Sequence, residues 1–266
     1  MNNLITRATS GFIYASLFLF AILYDAKSYI AIIALFTAIC LWEFSKIVSF
    51  KSMIPYLILA ISVYFTPYKI PQESIVFFLV ATLLCSIRLI YHLYNKTQHY
   101  PKAIIDKFDV SIRYIILPAN FLIAIPFIFG SYEPQLVISI ILFIWINDSF
   151  AYLIGKNFGK RKLFESVSPK KTIEGFVGGA LVTILAAIFI SKYVTITQIH
   201  LADWIIIAGI LGVFGTVGDL VESKFKRQAN IKDSGAIMPG HGGMLDRLDS
   251  LLFAAPFVFL YLYFFI

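Results

Sequence analysis

The sequence predicts an all-α fold, a polytopic integral membrane helical bundle of about nine transmembrane helices with its N-terminus in the cytoplasm. Of the 266 residues, 59% are hydrophobic and only 14% are charged, whereas soluble domains carry about 25% charged residues. The apolar residues form long runs with short polar stretches between them, and the basic residues collect in alternate stretches. Lipid rather than water is therefore expected to cover much of the protein.

Nine apolar runs are candidate spans. A perpendicular helix needs about 20 residues to cross the hydrocarbon core, and the fourth, sixth and eighth runs reach that length. The first three are shorter, so the sequence leaves open where they end and whether each crosses fully. No small-residue cleavage site follows the first run, which is interpreted as a retained span. The runs are Gly11–Tyr24, Ser28–Trp42, Ile54–Thr66, Ser74–Tyr94, Tyr114–Gly130, Pro134–Gly155, Phe176–Ser191, Leu201–Val221 and Ser250–Ile266.

The distribution of basic residues predicts the orientation. With nine spans, only Lys27, Lys69 and Lys192 of the 22 Lys and Arg residues fall on the side opposite the N-terminus. The positive-inside rule then places the N-terminus and the large loops in the cytoplasm. We therefore expect a multi-pass protein of the cell inner membrane with a cytoplasmic active site. The excess of basic residues is interpreted as a cytoplasmic collar, attracted to lipid headgroups in the Arg88–Arg113 loop, and not as a nucleic-acid surface.

The chain is interpreted as one membrane-embedded domain over residues 1–266. Residues 1–113 form N-terminal helices and a basic loop, and residues 114–266 carry the chemistry. Cys40 and Cys85 lie inside apolar runs without ligand-spaced partners, so they are expected to be packing residues.

The stretch from Asp219 to Asp249 holds the strongest functional pattern. Asp219, Ser223, Lys226 and Arg227 follow helical spacing and share one face. Asp246 and Asp249 are three residues apart at the start of the last helix. A carboxylate close to hydrocarbon is costly and usually marks a functional site.

These residue types fit a metal–phosphate site. Carboxylates are ligands that Mg²⁺ takes alongside substrate phosphates, and Lys226 and Arg227 can neutralise phosphate charge. The alternative is a salt-bridged helix turn. For His241, in the Gly-rich turn, a backbone hydrogen bond is an equal alternative.

The stretch resembles the signature of the phosphatidate cytidylyltransferase (CDP-diacylglycerol synthase) family. Met238 stands where that family more often has Leu or Ile. The matching positions are Ser223, Lys226-Arg227, Lys232-Asp233, Gly235, Pro239, His241-Gly242-Gly243, Asp246-Arg247 and Asp249. The resemblance implies a polytopic helical fold, CTP and phosphatidic acid as substrates, and a divalent metal held by the matching aspartates.

A second segment also resembles this family, over Asn147-Asp148, Ala151-Tyr152, Gly155, Gly159-Lys160 and Ser168–Gly175. We expect Ser168 to cap the seventh helix and Pro169 to begin it. The helix N-terminus, with Lys170 and Lys171, would then bind phosphate. Because Lys171 stands where a capping box has Glu or Gln, an anionic ligand is favoured over self-capping.

Two further expectations concern packing. Asp148 is expected to be buried near the cytoplasmic end of the sixth run, as a metal or ribose contact or a paired structural group. Gly175 and Gly179, and the glycines at 209, 212, 215 and 218, are interpreted as close helix-packing positions.

With the resemblance, a site can be assigned. The catalytic set is Asp219, Lys226, Asp246 and Asp249, and Asp219, Asp246 and Asp249 are the metal ligands for Mg²⁺, with a second cation left open. The substrate-binding set is Asp148, Ser168, Lys170, Lys171, Thr172, Ser223, Arg227, Lys232, His241 and Arg247.

The rival interpretations differ in chemistry. The nearest is another CTP-dependent lipid enzyme, such as a polyprenol or phytol kinase. A CDP-alcohol phosphatidyltransferase is disfavoured because this sequence lacks the Asp-Gly-x-x-Ala-Arg run of those enzymes. A transporter is disfavoured because it would place its binding groups near the membrane midplane. The expected partners are CTP, phosphatidic acid and the lipid bilayer, without nucleic acid, and a homodimer is compatible with the sequence.

Overall fold

The computed structural model describes residues 2–65, 72–95, 99–194, 196–240 and 242–266, and most of them are helical. A π-helical turn at Ser111–Ile116 and a 3-10 turn at Ile125–Phe127 flank the α-helix Leu117–Ala124, so that one helical stretch runs over Ile104–Phe127. The α-helices in these residues are α1 (Asn2–Tyr24), α2 (Ala26–Ile47), α3 (Ile54–Phe65), α4 (Gln72–Tyr94), α5 (Ile104–Val110), α6 (Leu117–Ala124), α7 (Pro134–Phe158), α8 (Ile173–Tyr193), α9 (Leu201–Gln228) and α10 (Leu245–Phe265).

The helical, multi-pass character predicted from the sequence is confirmed. Seven helical stretches of the described chain are long and apolar enough to cross a membrane: α2, α4, Ile104–Phe127 and α7 to α10. The apolar part of α1, Ala8–Tyr24, and α3 are shorter. The count of nine crossings and the side of the N-terminus therefore stay predictions. Thr66, the predicted end of the third run, lies outside the described residues.

The chain divides into two compact units. The first unit is Met1–Ala124 with Phe225–Leu248, and the second is Ile125–Lys224 with Asp249–Ile266. The chain passes between the units after Ala124, then inside α9 and again inside α10. The predicted signature residues are therefore distributed over both units.

Aromatic packing forms much of the core of the first unit. The Phe44 ring lies 5.8 Å from that of Tyr114 and 5.3 Å from that of Phe225, centroid to centroid. Tyr29 is fully buried, and its hydroxyl donates to the backbone oxygen of Leu122 at 2.6 Å. Cys40 and Cys85 are both buried, as predicted for packing residues.

In the second unit, α7 and α8 pack closely through glycines. A Cβ on Gly175 would lie 2.6 Å from the backbone oxygen of Ala151, and one on Gly179 would lie 2.8 Å from that of Asn147. Only glycine permits this approach, so the packing interpretation is confirmed there. It does not extend to Gly209, where a Cβ would meet nothing within 4 Å.

A short antiparallel hairpin precedes α8, and it corrects one prediction. Strands β1 (Lys162–Phe164) and β2 (Ser168–Thr172) pair, with Lys162 opposite Thr172 and Phe164 opposite Ser168. Because this backbone is extended and paired, Ser168 does not cap the helix and Pro169 does not begin it. The helix begins at Ile173 with Thr172 as its N-cap.

Candidate active site

The second unit contains an ion pair between a strand and a helix. The Nζ atom of Lys171, on β2, lies 2.7 Å from Oδ2 of Asp219 on α9. The hydroxyl of Ser223, one helical turn beyond Asp219, donates to Oδ1 of that carboxylate at 3.2 Å. Both oxygens of Asp219 therefore have donors, and the helical spacing predicted from the sequence produces the second contact.

Further carboxylates act on the same ammonium group. Burial acts to lower the pKa of Lys171, but the charge of Asp219 and its hydrogen bond, together with the charges of Asp148 and Asp249, outweigh burial and raise the pKa. Lys171 is therefore a cation at neutral pH. The predicted residues Lys171, Asp219, Asp148 and Asp249 form one electrostatic cluster in the second unit.

The hairpin explains why Lys171 and not Lys170 reaches this cluster. Successive side chains of a strand point to opposite faces, and Lys170 is exposed whereas Lys171 is half-buried. The hydroxyl of Thr172 accepts from the backbone N–H of Gly175 at 3.1 Å. The helix thus caps itself through Thr172, whereas the sequence favoured an anionic ligand over self-capping; phosphate binding at this helix start stays a prediction.

The turn before β1 is also fixed by α8. The Glu174 carboxylate accepts from the backbone N–H groups of Lys160 and Arg161 at 3.0 and 3.1 Å. This residue, part of the second segment that resembles the family, thus holds both ends of the hairpin together.

The first unit contains a second, more deeply buried ion pair. The Nζ atom of Lys226, on α9, lies 2.6 Å from Oδ1 of Asp246 on α10, and their side chains are only 10% and 8% exposed. Oδ2 of Asp246 accepts from the backbone N–H and the hydroxyl of Ser234, at 2.9 and 3.0 Å, and from the N–H of Gly243 at 2.8 Å. Both oxygens of the Asp246 carboxylate therefore have donors.

Sequence reasoning missed Glu43, a fully buried carboxylate on α2. Its oxygens accept from the backbone N–H groups of Met244 at 3.0 Å and Leu245 at 2.8 Å, and from the hydroxyl of Ser234 at 3.0 Å. The N–H groups at a helix start lack partners within the helix, and a negative charge there is favourable. Glu43 thus caps α10 from a distant part of the chain. The signal in the sequence is a lone acid between Trp42 and Phe44 at the end of an apolar run.

The loop between α9 and α10, from here on the signature loop, lines an open cavity of about 410 Å³ in the first unit. Lys232 and Arg247 line it together with Asp233. Gly242 in this loop has a φ of +87°, a conformation that favours glycine. The structure therefore brings Lys232 and Arg247 to one cavity.

Two further predicted residues, Asp148 and Asp249, differ in their exposure. Asp148 is exposed, contrary to the expectation of burial; its neighbour Asn147 is the buried residue and donates to the Thr216 hydroxyl at 3.3 Å. Asp249 is buried, and its Oδ1 accepts from the backbone N–H of Ser250 at 2.7 Å.

Arg227 and Ser168 are not part of either ion pair in the described residues. Arg227 is exposed and donates to the backbone oxygen of Ile231 at 3.0 Å, at the end of α9. Ser168 is half-buried on β2, and its role in substrate binding stays a prediction. His241 lies outside the described residues.

The carboxylates of the two ion pairs are also the type of donor that a magnesium ion takes. No group of three or more His, Cys, Asp or Glu side chains in the described part of the chain could hold a metal ion by itself. Asp219 and Asp246 nevertheless each present a carboxylate to a cation, here a lysine ammonium. Mg²⁺ is commonly bound by one or two carboxylates, with waters and substrate phosphates completing its shell. Each of these two carboxylates, taken by itself, therefore has the chemistry of a magnesium ligand whose ion would be completed by substrate and water.

Long apolar helices, with one half-exposed and one buried lysine–aspartate pair, define a multi-pass membrane protein with charged groups in each unit. Residues 5–265 match the model of the cytidylyltransferase family, and the chain belongs to that family.

Named relatives agree with this assignment. The chain is 52% identical over 118 residues to a phosphatidate cytidylyltransferase of Bacillus subtilis, covering 44% of this chain and 43% of the relative. It is 47% identical over 117 residues to proteins of the same name from Staphylococcus epidermidis and Staphylococcus aureus, covering 43% of this chain and 44% of each relative. The matched segments thus span less than half the length of these curated relatives.

Proposed function

We propose that this chain transfers the cytidylyl group of CTP to phosphatidic acid, forming CDP-diacylglycerol and pyrophosphate in phospholipid synthesis. The observation that carries the proposal is the two lysine–aspartate contacts, Lys171 with Asp219 and Lys226 with Asp246, in a chain of the cytidylyltransferase family. The names of the relatives support the same substrates.

The proposed reaction exchanges one phosphoric anhydride for another. A phosphate oxygen of phosphatidic acid attacks the α-phosphorus of CTP, and the bond from that phosphorus to the bridging oxygen of the β-phosphate breaks. Pyrophosphate leaves with the electron pair. Because the attacking oxygen is already anionic, the step needs no strong base, and the main obstacle is repulsion between two polyanions.

The two lysines can reduce this repulsion between the substrates. Lys171 is cationic at neutral pH, and Lys226 is paired with Asp246 in a buried environment. When phosphate oxygens arrive, each ammonium can be shared between its aspartate and the phosphate. The aspartates keep the lysines in position, and Ser223 and Ser234 keep the aspartates in position.

A bound magnesium ion would supply charge neutralisation for the phosphates and the departing pyrophosphate. The predicted carboxylate ligands for such an ion are Asp219 and Asp249 in the second unit and Asp246 in the first unit. We place the site at the cytoplasmic side of the inner membrane, because the basic residues collect there. The homodimer stays a prediction.

The test uses purified full-length protein in detergent with labelled CTP, phosphatidic acid and Mg²⁺. Lipid-soluble nucleotide with equimolar pyrophosphate is the expected product. The rival lipid kinase would instead give phosphorylated lipid and CDP. Removal of Mg²⁺ by a chelator should abolish turnover and its return should restore it. Near-normal turnover by Asp246→Asn would contradict the proposed role of that carboxylate.

A further inference from the structure

A second cavity, of about 800 Å³, lies within the first unit, and its lining is basic. Lys46, Lys102, Lys107 and His99 line it, and Asp233 is the one carboxylate among its described lining residues. Ligand pockets usually measure about 300–1,000 Å³. The size and the charge of this cavity therefore fit a small polyanion.

The arginines of the same basic segment already have anionic partners. Arg88 lies 3.4 Å from Asp106, and Arg113 forms a salt bridge with Asp109. The positive charges of these two arginines are therefore neutralised by carboxylates of the protein itself.

The three lysines differ from these arginines. No carboxylate in the described residues forms a salt bridge with Lys46, Lys102 or Lys107. The ammonium of Lys46 lies 3.0 Å from the ring centroid of Trp42, and that of Lys107 donates to the backbone oxygen of Ser49 at 3.4 Å. The three lysines around this cavity thus outnumber Asp233, its one described carboxylate, and this excess of positive charge is not required for a merely topological collar.

The wall that carries His99 and Lys102 is fixed in place. Tyr100 is only 5% exposed, and its ring stacks on His92 with centroids 4.2 Å apart. The guanidinium carbon of Arg88 lies 4.4 Å from the Tyr100 ring centroid. Burial raises the pKa of Tyr100 to about 12, so this ring is neutral at physiological pH. Because this wall is already ordered, ligand binding there costs less conformational entropy.

The cavity also adjoins the ion pair of the first unit. Ser234, which donates to Asp246, is among its lining residues. Asp233 lines both this cavity and the 410 Å³ cavity of the signature loop. An anion in the larger cavity would therefore lie beside the residues that hold Asp246.

We propose that this cavity binds a phosphate group carrying at least two negative charges, through Lys46, Lys102 and Lys107. Its two candidate sources, departing pyrophosphate and a lipid phosphomonoester headgroup, rest on the proposed function. The binding itself does not, because it follows from the lining of the cavity.

The experiment measures equilibrium binding to the full-length protein in detergent, without turnover. One arm uses inorganic pyrophosphate and the other a short-chain phosphatidic acid. The double variant Lys102→Gln/Lys107→Gln is compared with Lys51→Gln, which removes an exposed lysine that does not line the cavity. Lys102→Gln alone, at an exposed side chain, repeats the test should the double variant fold poorly.

We expect the double variant to bind at least one probe about tenfold more weakly, whereas Lys51→Gln binds within about twofold of the unchanged protein. Weakening in the pyrophosphate arm alone identifies the leaving group as the source, and weakening in the lipid arm alone identifies the headgroup. Equal affinities of the double variant and Lys51→Gln for both probes would overturn the proposal. Turnover with CTP is scored separately, so an inactive protein that still shows the binding difference contradicts the proposed function and not the cavity.

Discussion

Glu43 and Asp246 share one hydrogen-bond donor, since the Ser234 hydroxyl oxygen lies 3.0 Å from Oε2 of Glu43 and 3.0 Å from Oδ2 of Asp246. A hydroxyl has one proton and donates to one acceptor at a time. The two carboxylates are therefore coupled through Ser234, and α2 contributes to the position of a residue on α10 that the proposed reaction uses.

Replacing Glu43 by Ala should destabilise the protein strongly. The change leaves the N–H groups of Met244 and Leu245 buried without their acceptor, and each such group costs about 1–3 kcal/mol. We expect the free energy of unfolding to fall by about 3 kcal/mol, seen as a lower thermal midpoint in detergent. Glu165→Ala, at an exposed turn residue, is the matched control. Equal midpoints for the two variants would show that the buried carboxylate does not stabilise α10.

Gly243→Ala should also be destabilising. A Cβ at Gly243 would overlap the Ser234 hydroxyl and both carboxylate oxygens of Glu43. The matched change is Gly209→Ala, where the Cβ meets nothing within 4 Å. This substitution should raise the free energy of unfolding by about 0.5–1 kcal/mol, because alanine favours a helix more than glycine does. Opposite shifts of the thermal midpoint are expected, and a loss of stability in both variants would contradict the steric argument.

Lys171 and Lys170 provide a comparison of neighbouring lysines. Lys171→Gln removes the cation that faces Asp219, and we expect turnover of CTP to fall about 100-fold, the usual cost of one charge-stabilising donor. Lys170 is exposed on the other face of β2, so Lys170→Gln should change turnover less than about threefold. Initial rates of liponucleotide formation decide this. A larger effect at Lys170 would mean that phosphate approaches from the exposed face.

The ion pair of Lys171 should cause no pH dependence near neutrality. Its pKa is raised in the folded protein. Stabilisation by this pair is therefore complete below the ordinary lysine pKa of about 10.4 and is lost only as pH rises through the higher, folded value. The difference in thermal midpoint between the unchanged protein and Lys171→Gln should stay constant from about pH 7 to about pH 9. A difference that shrinks over this range would show that Lys171 loses its proton earlier.

Much of the helical framework could be predicted because long apolar runs need a helix in lipid, where backbone polar groups must pair within the segment. The face shared by Asp219 and Ser223 follows from helical spacing alone. The start of α8 was predicted wrongly, because Ser168 and Pro169 have good local capping chemistry and only pairing with β1 excludes it. Glu43 could not be assigned a partner, since its donors lie about 200 residues further along the chain.

That separation has a consequence for biosynthesis. Chains emerge from the ribosome N-terminus first, so α2 is made long before the donors for its buried acid exist. A nascent protein halted after α9 would hold an uncompensated charge close to hydrocarbon, a costly state. Assembly of the hydrogen bonds around Glu43 and Asp246 is thereby tied to the synthesis of α10.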